Sequence, residues 1–182
     1  IEGRNAGDQA GRSLRNAGDV NGDGLDDFII GAPAASPDGI QSAGEAYVVF
    51  GRTTNPTSLP LNNLNGSAGF RLVGVTFNDE AGQAVSGAGD VNGDGFDDLI
   101  VGAPGADPDD NLPEAAAAFV VFGRPQFPAQ IKLGMLNGTN GFRINGIAED
   151  DRAGASVSHA GDVNGDGYDD ILLGAPDASP CG

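Results

Sequence analysis

Residues 88–104 read Ala88-Gly-Asp-Val-Asn-Gly-Asp-Gly-Phe-Asp-Asp-Leu-Ile-Val-Gly-Ala-Pro104, and nearly the same stretch occurs at residues 17–33 and again at 160–176. The first aspartates of the three copies are Asp19, Asp90 and Asp162, which places the copies 71 and 72 residues apart. A fixed period of this kind is typical of repeat proteins, in which each repeat is one structural unit that packs against its neighbours. The chain is therefore predicted to be a repeat protein.

The rest of the period repeats as well, and it contains four short apolar segments. In the middle repeat these are Ala84–Ala88, Asp98–Gly102, Ala118–Phe122 and Phe142–Asn145. Short segments that are rich in β-branched and aromatic residues, with Gly or Pro at their edges, are typical of β-strands. Four strands per repeat predict an all-β fold of propeller blades or of a stacked β-array, and they exclude a helical solenoid. Loops are predicted at the proline-rich stretches Ser36–Gly39, Pro104–Pro113 and Pro125–Pro128.

The first residues of the chain also fit the period. Ile1–Gly11 aligns without gaps on Ile144–Gly154, which indicates the end of a preceding fourth strand, although residues 1–4 also look like the remnant of a protease site. The chain is thus predicted to hold about two and a half repeats. The predicted divisions are the end of a preceding blade (residues 1–8), a first repeat (9–77), a second repeat (78–148) and the first two strands of a third (149–182).

The bulk composition limits the partners of the chain. It has 26 acidic and 9 basic residues and a formal net charge of −17, so it repels phosphate backbones and is not expected to bind nucleic acid. Its longest apolar run, Ala115–Phe122, is far too short to span a membrane, and no membrane insertion is expected. Cys181 is the single cysteine, so no disulfide can form within the chain.

The repeated acidic segment Asp-Val-Asn-Gly-Asp-Gly-x-Asp-Asp has oxygen-bearing side chains at positions 1, 3, 5 and 9. A calcium ion takes about six to eight oxygen ligands from carboxylates, amides, backbone carbonyls and water. The glycines at positions 4 and 6 permit the positive φ angles that a tightly wound loop requires, and the aspartate at position 8 is expected to point away from the ion. Three calcium sites are predicted, each with four side chains and the carbonyl of position 7 as ligands: Asp19, Asn21, Asp23, Leu25 and Asp27; Asp90, Asn92, Asp94, Phe96 and Asp98; and Asp162, Asn164, Asp166, Tyr168 and Asp170.

Two other interpretations of these loops are weaker. An EF-hand needs a bidentate Glu at position 12 and flanking helices, but position 12 is Ile30, Val101 or Leu173 here. Simple hairpin turns would need only two turn residues, whereas each loop carries four aspartates whose mutual repulsion calls for a counter-ion. Magnesium is less suitable than calcium because it prefers strict octahedral geometry and retains its waters. The expected role of calcium is structural.

The acidic loop, the apolar strand that follows it and a Gly-Ala-Pro triplet together resemble the FG-GAP repeat of integrin α-subunit propellers and their bacterial relatives. The resemblance implies four-stranded antiparallel blades in which the calcium loop joins the first two strands, and in this family seven blades usually close the ring. The Phe-Gly pair that names the repeat is Ala-Gly in all three copies here. The triplets are intact at Gly31–Pro33, Gly102–Pro104 and Gly174–Pro176, and the altered pairs are Ala10-Gly11, Ala81-Gly82 and Ala153-Gly154.

The same resemblance implies an extracellular or cell-surface scaffold for adhesion that presents loops to a protein or glycan ligand. The chain contains no Arg-Gly-Asp sequence, and the residues do not identify the ligand. Since the visible repeats are too few to close a ring, open blade edges are expected, which would be covered by further chain or by self-association.

Two alternatives come from other functional classes. Propellers of this kind can accompany a hydrolase domain, but the single histidine, His159, is replaced by Asn16 and Gly87 in the other repeats. The nearby Ser156 and Ser158 do not give triad geometry on one strand, so no catalytic residue and no enzyme activity are predicted. A lectin-like module would need exposed aromatic residues, and the chain has no Trp and two Tyr. The phenylalanines expected in a core between blades are Phe50, Phe70, Phe119, Phe122 and Phe142.

Overall fold

The computed structural model describes residues 1–54, 57–107, 116–148 and 150–178. Short 3-10 turns lie at Pro37–Gly39, Leu61–Asn63 and Leu133–Met135. The strands are β1 (Ser13–Gly18), β2 (Asp27–Ala32), β3 (Glu45–Val49), β4 (Gly69–Val73), β5 (Ala84–Gly89), β6 (Asp98–Ala103), β7 (Ala117–Val121), β8 (Gln130–Lys132), β9 (Gly141–Asn145), β10 (Ser156–Gly161) and β11 (Asp170–Gly174).

The strands form antiparallel sheets that follow the sequence period. β1, β2, β3 and β4 make the first blade, β5, β6, β7 and β9 make the second, and β10 and β11 pair as the start of a third. The register repeats too, since Ile30 lies opposite Tyr47 in the first blade and Val101 lies opposite Phe119 in the second. The predicted all-β fold of four-stranded antiparallel blades is confirmed.

One strand was not predicted from the sequence. The short strand β8 lies in the connection between β7 and β9. It pairs in parallel with β4, and Leu72 lies opposite Ile131. It therefore adds a fifth strand, contributed by the second repeat, to the sheet of the first. Glu2 forms a parallel bridge with Pro60, which is the equivalent of the Val73–Lys132 pair one period earlier.

The main core lies between the first two blades. Ile29, Val48, Phe70 and Leu72 of the first blade pack in one cluster with side chains of the second blade that include Leu99. The rings of Phe70 and Phe127 stack with their centroids 4.0 Å apart, and burial of such apolar faces is the dominant stabilising contribution to folding. The blades are thus held together mainly by this shared apolar layer.

Of the five phenylalanines predicted to lie in the core, three are buried, one is partly buried and one is exposed. Phe50, Phe70 and Phe119 are buried between the blades, and Phe122 is partly buried. Phe142 is 38% exposed, although it makes an edge contact with Phe122. It lies on β9, the edge strand of the sheet β5-β6-β7-β9.

The predicted loops fall partly outside the described residues. Residues 36–39 contain the first 3-10 turn, and residues 125–128 form an irregular connection, so both predictions are confirmed. Most of the predicted loop from Pro104 to Pro113 and the whole of Cys181 lie outside the described residues. In the part of the chain that is described, no helix is long and apolar enough to cross a membrane.

Candidate metal centres

Each acidic loop connects the first two strands of a blade. The loops occupy residues 19–26 between β1 and β2, 90–97 between β5 and β6, and 162–169 between β10 and β11. The strand before each loop ends in a bulge, where the register shifts between Asn16 and Gly18 in the first repeat. Gly18 has a φ of +73°, a conformation that glycine adopts without steric cost. The bulge turns the chain out of the sheet and into the loop.

The aspartate at position 1 organises its own loop. Asp19 Oδ1 accepts hydrogen bonds from the N–H groups of Gly22 (2.8 Å) and Asp23 (3.0 Å), and Asp19 Oδ2 accepts one from Gly24 (2.8 Å). Asp90 and Asp162 make the same three bonds in their loops, at 2.7–3.1 Å. In the third loop these N–H donors, above all that of Gly167, lower the pKa of Asp162. Each loop is thus wound around the position 1 carboxylate, and in the third loop the backbone donors favour its ionised form.

Positions 3 and 5 face each other across the loop. Asn21 Oδ1 accepts the N–H of Asp23 at 2.8 Å, and Asp23 Oδ1 accepts the N–H of Leu25 at 3.0 Å. The Asn21 amide also donates to Asp23 Oδ2 at 3.1 Å, and Asn92 and Asp94 repeat these contacts in the second loop. The side chains at positions 3 and 5 are therefore neighbours within the turn.

Position 9 is the buried end of the loop. Asp27 and Asp98 are 1% and 0% exposed. Asp27 accepts the N–H groups of Val20 at 3.1 Å and Gly51 at 2.7 Å, so it joins the loop to the end of the third strand, and Asp98 makes the equivalent bonds. Burial, together with the weaker effect of the carboxylate charges at positions 5 and 1, raises the pKa of both Asp27 and Asp98 to about 7, although the two backbone N–H bonds act in the opposite direction. Asp170, on the two-stranded sheet of β10 and β11, keeps its bond to Val163 but is less buried.

This arrangement fits a hard cation in its chemistry. The side chains at positions 1, 3, 5 and 9 offer oxygen atoms. The negative charges at positions 1 and 5 raise the pKa of the buried aspartate at position 9, and a divalent cation would relieve this repulsion. Within the described ranges, however, no group of three or more His, Cys, Asp or Glu side chains is gathered around one point as metal ligands. The carboxylates are instead turned to backbone N–H groups. The three ligand sets named above therefore remain predictions.

Two of the three aspartates at position 8 contact the preceding repeat. Asp97 Oδ2 accepts the backbone N–H of Asp19 at 2.7 Å, and Asp169 Oδ2 accepts that of Asp90 at 2.9 Å. Asp26, the equivalent in the first repeat, accepts a bond from the Asn16 amide at 3.1 Å. Sequence reasoning expected these side chains only to point away from the ion. Their presence in every copy was the one signal that they have a role of their own.

His159 lies beside the contact of Asp169 with the preceding loop. Its Nε2 is 3.1 Å from Asp169 Oδ1, and this bond is the main cause that lowers the pKa of Asp169. The hydroxyl of Ser158 donates to the backbone carbonyl of His159 at 3.0 Å. The neighbouring serine is thus directed to the main chain and not to the imidazole.

Comparison with known proteins finds a family match in three segments, each of which contains one acidic loop. The FG-GAP repeat family matches residues 10–49, 81–121 and 153–182. The chain is 30% identical over 180 residues to integrin alpha-PS2 of Drosophila melanogaster, covering 96% of this chain and 12% of that protein, and 29% identical over 167 residues to integrin alpha-V of Gallus gallus, covering 87% and 13%. It is also 32% identical over 158 residues to phosphatidylinositol-glycan-specific phospholipase D of Bos taurus, covering 87% of this chain and 18% of that protein. The chain spans less than a fifth of the length of each of these relatives.

Proposed function

Because the chain belongs to the FG-GAP repeat family, we propose that it is a calcium-stabilised section of an integrin-like β-propeller that acts as a scaffold for adhesion or ligand binding. Three in-register acidic loops between the first two strands of successive blades carry this proposal. Calcium would be held by positions 1, 3, 5, 7 and 9 of each loop and would neutralise carboxylates that otherwise repel one another. Its role would be to lock the first strand of each blade to the second.

The repeat boundaries belong to the same proposal. Residues 1–8 would end a preceding blade, since the Glu2–Pro60 bridge has the register of the Val73–Lys132 pair. Residues 9–77 and 78–148 would be complete repeats, and 149–182 would begin a third. The integrin relatives support an extracellular or cell-surface location and a protein ligand. Open blade edges would allow further blades, or a second copy, to pair with them.

The calcium proposal is tested by thermal unfolding of metal-free protein in calcium, in magnesium and in chelator. Binding at a hundredfold excess over the dissociation constant stabilises the folded state by about 2.7 kcal/mol per site, so calcium should raise the melting temperature and magnesium should raise it much less. Asp94→Asn should reduce the calcium-dependent increase. Asp38→Asn removes the same charge from an exposed position outside the loops and should not. Equal melting temperatures in calcium and chelator would refute the proposal.

A second candidate rests on the phospholipase D relative. In that case the chain would be a non-catalytic propeller section beside a hydrolase domain. A related alternative is a lectin-like module, in which the chain itself would bind a glycan. Purified chain should then bind in a glycan array but hydrolyse no phosphodiester or glycoside substrate. Binding to extracellular matrix proteins, with no glycan bound, would favour the adhesion scaffold instead.

A further inference from the structure

The loop of one blade is fixed by residues of the next blade. The Asp97 carboxylate accepts the N–H of Asp19, and the Asp97 N–H donates to the Asp19 carbonyl at 3.3 Å. In addition, the Arg124 N–H donates to the Val20 carbonyl at 2.9 Å. Both backbone groups of Asp19, the first residue of the predicted ligand set, are therefore bonded to a single residue of the second repeat. In the second loop, the N–H of Asp169 donates to the Asp90 carbonyl at 3.1 Å.

Glycines leave room for the carboxylates of Asp97 and Asp169 at these junctions. A Cβ atom on Gly18 would overlap the Asp97 carboxylate, and one on Gly89 would overlap that of Asp169. The aromatic ring at position 7 closes the same junction, because a Cβ on Gly22 would lie 2.5 Å from the Phe96 ring. Tyr168 lies over Gly93 in the same way. Two successive junctions thus have the same carboxylate, the same glycine and the same ring contact.

We propose that Asp97 and Asp169 are positioning residues that hold the calcium loop of the preceding blade in its binding conformation. This inference rests on the proposed calcium function. A carboxylate that accepts a backbone N–H makes a strong, charge-assisted hydrogen bond. It fixes the backbone at position 1, and the position 1 carboxylate in turn accepts three loop N–H groups. Groups that orient metal ligands change metal affinity by about 10–100-fold when they are removed.

Each loop has its own reporter for a calcium titration. The N–H groups of Gly24, Gly95 and Gly167 donate to the position 1 carboxylate of the first, second and third loop. Their signals in ¹H–¹⁵N spectra of the full chain should follow the occupancy of the three sites separately. Asp97→Ala should weaken calcium binding at Gly24 by about tenfold or more and leave Gly167 unchanged. Asp97→Asn keeps an oxygen acceptor and should restore most of the affinity at Gly24.

Asp26→Ala is the matched control. It removes the position 8 carboxylate of the first loop itself, but the Asp26 side chain bonds to Asn16 rather than to a loop backbone. It should therefore leave the Gly24 titration unchanged. Asp169→Ala provides a second test, because it should weaken the site reported by Gly95. An equal effect of Asp26→Ala and Asp97→Ala at Gly24, or no effect of Asp97→Ala, would overturn the proposal.

Hydrogen exchange separates this inference from the calcium proposal. In metal-free protein, Asp97→Ala should accelerate exchange of the Asp19 amide proton, whereas Asp26→Ala should not. If no glycine signal of the wild-type chain responds to calcium, the proposed calcium function fails, and the positioning role fails with it even if exchange of Asp19 is accelerated. If calcium binds and exchange of Asp19 is unaffected by Asp97→Ala, only the positioning role fails.

Discussion

At the residue scale, glycine is required where two blades come closest. Gly31 and Gly102 are the glycines of the Gly-Ala-Pro triplets, and a Cβ on either would overlap a backbone carbonyl of the next repeat, that of Gly82 or Gly154. Gly82 is also the second residue of the Ala-Gly pair that stands in place of Phe-Gly. Within its own repeat its N–H donates to the Gly102 carbonyl at 3.0 Å, and across the junction it lies against Gly31. The two short motifs of the repeat therefore meet across the junction between blades.

Gly102→Ala is expected to destabilise the fold by about 1–3 kcal/mol, the usual cost of forcing extra volume into a packed site. The backbone carbonyl of Gly154 cannot move aside as a flexible side chain could. Denaturant unfolding of the variant and of wild type measures the difference. Gly3→Ala is the control, because its Cβ would meet only Ala10 at an ordinary distance of 3.7 Å. Equal stability of the Gly102 variant and wild type would contradict this account.

The buried aspartates predict how the metal-free chain responds to pH. Asp27 and Asp98 have pKa values of about 7 in the folded state and near 3.9 when unfolded. Between these values the folded state holds more protons than the unfolded state, so these two groups make stability fall as pH rises from about 4 to 7. Unfolding free energies of chelator-treated protein at pH 5 and 7.5 should show this loss. Asp27→Asn should make the loss smaller, and an unchanged slope would show that Asp27 is not responsible.

At the element scale, the blades are joined by strand β8 as well as by the core. Ile131 of β8 is 6% exposed and belongs to the same apolar cluster as Leu72. The Arg71 N–H donates to the carbonyl of Ala129, and its guanidinium donates to Gln130 Oε1. The edge of β4 that does not pair with β3 is thus covered by a segment of the following repeat. Covering an edge is one of the ways in which proteins protect a sheet from unwanted pairing.

Ile131→Ala should cost about 2–5 kcal/mol of unfolding free energy, because it leaves a cavity against Leu72. Leu59→Ala is the matched variant one period earlier, where the side chain is only partly buried. It should cost clearly less. Chemical denaturation of both variants gives the comparison, and a larger loss for Leu59→Ala would mean that β8 contributes little to the junction.

Strand β8 also shows which strands can be predicted from the amino-acid sequence and which cannot. The strands of each blade are short apolar segments between turn residues, and four of the five strands associated with the first sheet were found in this way. β8 has one buried side chain between two exposed ones, which is too short a pattern to separate from a loop. β8 pairs with the edge strand β4 of the preceding repeat, and the residues of β8 alone do not indicate this partner.

At the scale of the whole molecule, negative charge opposes folding. The formal net charge is −17, and three bound calcium ions, with two positive charges each, would reduce it to −11. Glu45, which is 1% exposed, pairs with both Arg4 and Arg71 at 2.9 and 2.8 Å, but such pairs leave the net charge unchanged. Self-repulsion of this kind destabilises a compact state.

Sodium chloride should therefore stabilise the metal-free chain. The Debye length falls to about 10 Å at 0.1 M salt, so the repulsion among the loops should be screened and the melting temperature in chelator should rise with salt. In saturating calcium the increase should be smaller. Melting curves at low and moderate salt, with and without calcium, measure both slopes. Equal slopes under the two conditions would argue against calcium neutralising the loops.

The repeat, the strand content and the acidic loops could be read from the amino-acid sequence, because they depend on local spacing: side chains two residues apart in a turn, and apolar segments at a fixed period. The contacts of Asp97 with Asp19 and of β8 with β4 could not, since they join residues 78 and 59 positions apart. Only packing of one blade on the next brings such groups together, and that packing decides which carboxylates lie in a loop and which hold its neighbour.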